Sequence, residues 1–82
     1  MAKALVDFGK YAEAIESLNM ATEKQKKVTY LWNLMGYAFE RLGKNDQALD
    51  SYNKSLDIDP VDEYATNAKL RIAEQNSSRK EI

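Results

Sequence analysis

Thr29-Tyr30-Leu31-Trp32-Asn33-Leu34-Met35-Gly36-Tyr37-Ala38-Phe39-Glu40-Arg41-Leu42-Gly43 is the stretch from which the fold of this chain is read. Trp32, Met35, Gly36 and Phe39 fall at i, i+3, i+4 and i+7, one face of a helix with about 3.6 residues per turn. Gly43 ends that helix as a C-terminal glycine able to take positive φ. A second helix is expected from about Asn45 to Ile58, with Ala48, Tyr52, Ser55 and Leu56 on its inner stripe. Small residues oppose large ones. Gly36 and Ala48 let two backbones approach, and Trp32, Phe39 and Tyr52 fill the surrounding space. Pro60 cannot continue the second helix but can open the next one at its first position.

The same pattern recurs along the chain. At an offset of 34 residues Gly9 meets Gly43, Lys10 meets Lys44, Ala14 meets Ala48 and Ser17 meets Ser51. The shift also aligns Ile15 with Leu49, Leu18 with Tyr52, Ala4 with Ala38 and Leu5 with Phe39, and it pairs Tyr30 with Tyr64 and Asn33 with Asn67. A run this dense at one offset argues for duplication of a helix-turn-helix unit.

Trp32-x2-Met35-Gly36-x2-Phe39, followed by Ala48-x3-Tyr52, Ser55 and Pro60, resembles the tetratricopeptide repeat of 34 residues. Met35 and Phe39 replace the usual leucine and tyrosine, both conservative in volume. The likeness is complete over 29–62. Over 1–28 it is carried by Gly9, Ala14, Leu18 and Ala21, and over 63–82 Thr66 and Leu70 stand where tryptophan and glycine would be. The resemblance implies an all-α fold of antiparallel helix-turn-helix repeats, of the α-solenoid type, with a C-terminal capping helix. Three segments are expected: a partial repeat over 1–28 with a truncated first helix, a complete repeat over 29–62, and a capping helix with a polar tail over 63–82. Ala65, Ala68 and Ile72 mark the buried side of that last helix, which is expected from Val61 to about Asn76. The tail Asn76-Ser77-Ser78-Arg79-Lys80-Glu81-Ile82 is expected to fray. The first copy would begin about six residues before Met1, leaving its first helix roughly two turns long. Residues 1–8 either fold back with Gly9 as the turn, or join residues 2–25 in one long helix that packs on a second molecule. With so short a first helix, Tyr11, Ile15 and Leu18 are expected to lose part of their cover.

Helix 29–42 has three faces. One meets its own hairpin partner, and a second, Leu31, Leu34, Ala38 and Leu42, is expected to meet the preceding helix at Ile15 and Leu18. The third holds Tyr30, Asn33, Tyr37, Glu40 and Arg41, and Tyr64, Asn67 and Arg71 continue it on the last helix. In proteins of this kind such a face lines a concave groove that receives a peptide or a partner's helix. The candidate partner-binding residues are therefore Tyr30, Asn33, Tyr37, Arg41, Tyr64, Asn67 and Arg71. Tyrosines offer rigid apolar area with a polar end, asparagines can hydrogen-bond a peptide backbone, and Arg41 and Arg71 can pair a carboxylate. The plain alternative is that the stripe is a solvated helix flank, and Glu40 and Lys3 read as ordinary surface charges. The carboxylate clamp that grips chaperone tails fits poorly, because Leu34 and Ala68 stand where polar clamp residues would be.

Composition narrows the function further. The chain has 82 residues, 30% of them charged and 44% hydrophobic, with a net charge of −1. That balance and a pI near 5.4 speak against a polyanion partner, so no nucleic acid is expected. No apolar run is long enough for a membrane span, and the absence of cysteine suits a reducing compartment, here taken as the cytoplasm. Without histidine or cysteine the chain lacks the usual general base and nucleophile. Neither a phosphate loop nor a metal-ligand pattern accompanies Asp57-x-Asp59-x2-Asp62, and no cofactor or metal is expected. Residues 45–63 carry six acids against Lys54, read as a solvated convex face. The expected function is a non-catalytic scaffold that binds a partner protein or peptide. The competing reading is structural, with the chain assembling with copies of itself as a homodimer or domain-swapped oligomer.

Overall fold

The computed structural model describes the backbone of residues 2–80 and the side chains of residues 3–75. The elements are α1 (Ala2–Asp7), α2 (Tyr11–Lys24), α3 (Thr29–Arg41), α4 (Asn45–Ile58) and α5 (Glu63–Lys80). All regular structure among the described residues is helical. Each helix packs chiefly on its neighbours in sequence. The result is a slab of 41 × 29 × 16 Å, its short axis matching two layers of helices packed about 10 Å apart. None of the described helices is long and apolar enough to cross a membrane.

Two turns of one design set the hairpins. After α1, the Gly9 N–H donates to Val6 O at 3.0 Å and the Lys10 N–H to Leu5 O at 2.8 Å. After α3, the Gly43 N–H donates to Glu40 O and the Lys44 N–H to Phe39 O, both at 2.9 Å. These are Schellman closures, which place the residue after the C-cap in the left-handed region. Gly9 at φ 78° and Gly43 at φ 80° occupy it, where a side chain would be strained. Of the two routes, residues 2–8 take the folded-back one, with Gly9 as the turn.

The core follows the stripes. Ala48, Tyr52, Ala65, Ala68 and Ile72 form one buried cluster, with Phe39, Leu49 and Leu56 packed against it. Val6, Ala14 and Ala38 form a second, covered by Leu5, Tyr11, Ile15, Leu34 and Tyr37. Burying a large apolar side chain such as Ile72 or Val6 contributes about 1.5–3 kcal/mol, and the alanines let the helices approach closely enough for it, so these two clusters hold α2–α5 in place and the six-residue α1 on top of them. Leu18 is fully buried, so the cover expected to be lost over it is present, while Tyr11 and Ile15 remain partly exposed. Leu42, expected against the preceding helix, is exposed instead, because it lies past the end of α3.

Two further expectations are corrected at the ends of α5. Pro60 does not open α5. It sits inside the turn Asp59-Pro60-Val61-Asp62, closed by the Asp62 N–H on Asp59 O at 3.1 Å. Its fixed φ suits the second position of such a turn. Asp62 then caps α5, its Oδ1 accepting the Tyr64 N–H at 3.0 Å and the Ala65 N–H at 3.4 Å. At the far end α5 continues to Lys80, beyond the expected stop near Asn76. The side chains of the polar tail, together with residues 81 and 82, lie outside the described residues.

Candidate partner-binding site

The odd-numbered helices share one face. Lys3 from α1, Thr29, Tyr30, Asn33 and Leu34 from α3, and Tyr64 from α5 line an open concavity of about 430 Å³. Tyr30 and Tyr64 are 53% and 51% exposed. Exposure of this kind costs an aromatic about half of its burial energy, so a pair of them lining one hollow marks a candidate contact surface. Tyr64 is anchored from behind, its ring centroid 6.3 Å from that of the buried Tyr52. Partial burial raises its phenol pKa above the ordinary value.

Asn33 does not stand free in this face. It is 9% exposed and its Nδ2 donates to Asp62 Oδ2 at 2.8 Å. Ser55 Oγ lies 3.0 Å from the Thr29 carbonyl oxygen and 3.2 Å from Asp62 Oδ2, and its proton can serve either. Burial by itself would raise the Asp62 pKa. The hydrogen bonds from Asn33, the Ala65 N–H, Ser55 and the Tyr64 N–H outweigh it and hold the carboxyl below its ordinary 3.8. One ionised carboxylate thus ties α3, α4 and the start of α5 together.

Glu40, read from sequence as a surface charge, is instead the centre of a second network. Its side chain is only 9% exposed. It accepts the Tyr52 hydroxyl at 2.6 Å, Arg71 Nη2 at 2.6 Å and Arg71 Nε at 3.2 Å. Arg71, expected to meet a ligand carboxylate, is therefore engaged inside the chain through a two-pronged contact. The hydrogen bond to Glu40 raises the Arg71 pKa, and burial followed by the Glu40 contact pushes the Tyr52 phenol far above its ordinary value. The period of the helix puts Glu40 on the outer flank. Only the approach of α5, which brings Arg71, turns that flank inward.

The remaining candidates separate from the hollow. Tyr37 is half-buried and meets Tyr11 edge-on at 6.4 Å. Arg41 Nε reaches the Tyr11 hydroxyl at 3.4 Å, a contact that raises the guanidinium pKa. Asn67 is exposed on α5. Of the seven residues proposed from sequence, Tyr30, Asn33 and Tyr64 come together around the concavity, and Tyr37, Arg41, Asn67 and Arg71 do not line it. Sequence reasoning left out Thr29 and Leu34 and set Lys3 aside. Leu34 was assigned to helix packing, and it does both, since it also covers the second core cluster.

A second hollow, of about 460 Å³, lies between the ends of α2 and α4 and is lined by Thr22, Glu23, Lys26, Trp32, Lys54, Asp57 and Ile58. Trp32 closes it, with its Nε1 donating to the Lys26 carbonyl at 3.0 Å. No group of three or more histidine, cysteine, aspartate or glutamate side chains gathers in a metal-binding arrangement among the described residues.

Comparison with known proteins places this geometry. Residues 29–62 match the family described as tetratricopeptide repeat. The chain is also similar to anaphase-promoting complex subunit 3 of Dictyostelium discoideum, 42% identical over 50 residues, which is 61% of this chain and 5% of that protein. The chain thus corresponds to a small piece of that relative's length. The matched span runs from the first residue of α3 through Asp62, the cap of α5, so it holds the Gly36 contact, the Gly43 turn and the Tyr52 core together. Over residues 29–62, the α3–α4 hairpin and the turn that follows it, the chain is similar to the tetratricopeptide repeat, a helical unit that generally mediates protein–protein interaction.

Proposed function

We propose that this chain is a non-catalytic interaction module that holds a peptide or helix of a partner protein in the hollow between α1, α3 and α5. One observation carries the reading: Tyr30 and Tyr64 stand half-exposed in the lining of one hollow that also holds Leu34. Aromatic side chains that are rigidly backed and wet on one side are the usual anchors of binding surfaces. The relative is a subunit of a complex, which agrees with a role among protein partners. On this reading, 1–28 is a partial repeat and 63–82 a capping helix that supply the two side walls, and the chain works in a reducing compartment such as the cytoplasm. Peptides selected from a displayed library on the immobilised chain provide the test. Tyr30→Ala with Tyr64→Ala should weaken them about a hundredfold, at roughly 1–2 kcal/mol for each anchor, while the far-UV spectrum stays unchanged. Undiminished affinity in the double variant contradicts the assignment.

Self-assembly is supported by a different observation. Phe8 is 81% exposed and Leu70 57% exposed, at opposite ends of the helix order. Leu70 stands at the position of Gly36 one repeat later, on the flank that in α3 is covered by α4.

A further inference from the structure

Two turns of opposite charge flank the second hollow, the one between the ends of α2 and α4. The end of α2 and the turn after it carry Lys24, Lys26 and Lys27. The end of α4 and the turn after it carry Asp57, Asp59 and, at the start of α5, Glu63. All six side chains are exposed. Glu23 and Lys54 soften the contrast without cancelling it. The two sides do not neutralise each other, since the ion pairs among the described residues are Lys3–Asp7 and Arg71–Glu40. The lining also has an apolar part. Trp32 and Ile58 are half-buried in it, and the indole N–H is already given to the Lys26 carbonyl, so the ring has only apolar area left to offer. Val61, on the acidic turn, is 79% exposed.

We infer that this edge is a joint between two copies of the chain, related by a two-fold axis that sets the lysine turn of each copy against the acidic turn of the other. A two-fold contact pairs residue i with j and j with i, so it needs a patch that is its own complement. Neighbouring turns of opposite sign meet that need. An orientation that lays like turns together sets lysine on lysine and acid on acid, and the repulsion selects against it. The apolar area of Trp32, Ile58 and Val61 loses water as the edges meet, and the aliphatic stems of the lysines can cover Val61. This rests on the self-assembly reading above and names a joint apart from Phe8, which lies beyond the other end of α2. The ends of two helices make a small contact, so the dimer is weak and forms in the range of about 0.1–1 mM.

Trp32 is the only tryptophan in the chain and reports the joint directly. Sedimentation equilibrium and tryptophan emission are measured on the whole chain across that range. The apparent mass should rise from 9.4 kDa towards twice that value, and the emission should shift to shorter wavelength in step with it. Lys26→Glu with Lys27→Glu, and separately Asp57→Lys with Glu63→Lys, should each weaken the dimer at least about tenfold. An equimolar mixture of the two double variants should restore pairing to within about threefold of the unaltered chain. One contact of the mixed dimer then keeps its native charges, and the other has both signs reversed. On the unaltered chain, raising sodium chloride from about 0.05 to 0.5 M should weaken the dimer about fivefold or more, because exposed charges are screened. If the mass rises while Trp32 emission stays fixed, or salt leaves the pairing unchanged, or the mixture does not recover it, the copies meet elsewhere and this inference alone is overturned. If the mass stays at 9.4 kDa throughout, the self-assembly reading falls and the joint with it.

Discussion

A Cβ added to Gly36 would lie 2.7 Å from two ring carbons of Tyr52. The ring cannot step aside, since it is fully buried and its hydroxyl is bonded to Glu40. The helices α3 and α4 are as close as they are because residue 36 has no side chain.

Gly36→Ala should therefore destabilise the chain by about 1–3 kcal/mol through overpacking, and Gly36→Leu by more. Gly43→Ala should cost about 1 kcal/mol, the strain of an alanine in the left-handed region, since nothing lies near the added carbon. Urea unfolding of the three variants gives the order directly, and a larger loss at position 43 than at 36 would place the α3–α4 contact elsewhere.

The Glu40 network predicts an asymmetry between its members. Glu40→Ala leaves the Tyr52 hydroxyl buried without an acceptor, at a cost of about 1–3 kcal/mol. Arg71→Ala removes a side chain that is 48% exposed, and it should cost below about 1 kcal/mol after solvent screening. Chemical denaturation should find Glu40→Ala the more damaging, and Tyr52→Phe in the Glu40→Ala background should recover part of the loss.

Acid should expose Asp62. Its folded pKa lies below the ordinary 3.8, so the folded state binds its proton less readily than the unfolded chain does. The stabilisation is fully present above the unfolded value and is lost as pH falls through the folded one. Asp62→Asn keeps a helix-capping side chain but abolishes this titration. The stability gap between the unaltered chain and Asp62→Asn should stay level from about pH 5 to 8 and narrow below about pH 4. A gap that widens in acid would reverse the sign of the shift.

Sedimentation equilibrium addresses the exposed ends. If Phe8 and Leu70 are contact points between copies, the apparent mass should rise above 9.4 kDa with concentration. Phe8→Asp and Leu70→Asp should each return it towards that value. A constant monomer mass up to millimolar protein eliminates self-assembly as a role.

What the sequence discloses here is the inside of one hairpin. The helical spacing of Trp32, Met35, Gly36 and Phe39, set against Ala48, Tyr52 and Ser55, identifies the packed stripes because apolar burial is periodic. Glycine at 9 and 43 discloses the turns because few other residues tolerate their φ. Polar contacts between hairpins carry no such period. Asn33 finds Asp62 across 29 positions and Glu40 finds Arg71 across 31. Each of these residues reads as solvated until the neighbouring helix is laid beside it. The same limit misplaced Pro60, whose fixed φ fits a turn as well as a first helical position.

The nearest-neighbour order of the helices has a kinetic consequence. With contacts concentrated between elements adjacent in sequence, little loop-closure entropy stands in the way, and folding should be fast for a chain of this size. The α3–α4 hairpin is the natural nucleus, and α1 and α5, each docked on one main neighbour, are the parts that open first. Amide hydrogens should accordingly exchange slowest around Gly36 and Tyr52 and fastest in the two end helices. The hollow takes Lys3 from one of those ends and Tyr64 from the other. Its walls stand together only while both ends are docked, so an occupant that touches both would slow their opening and lengthen the lifetime of the whole stack.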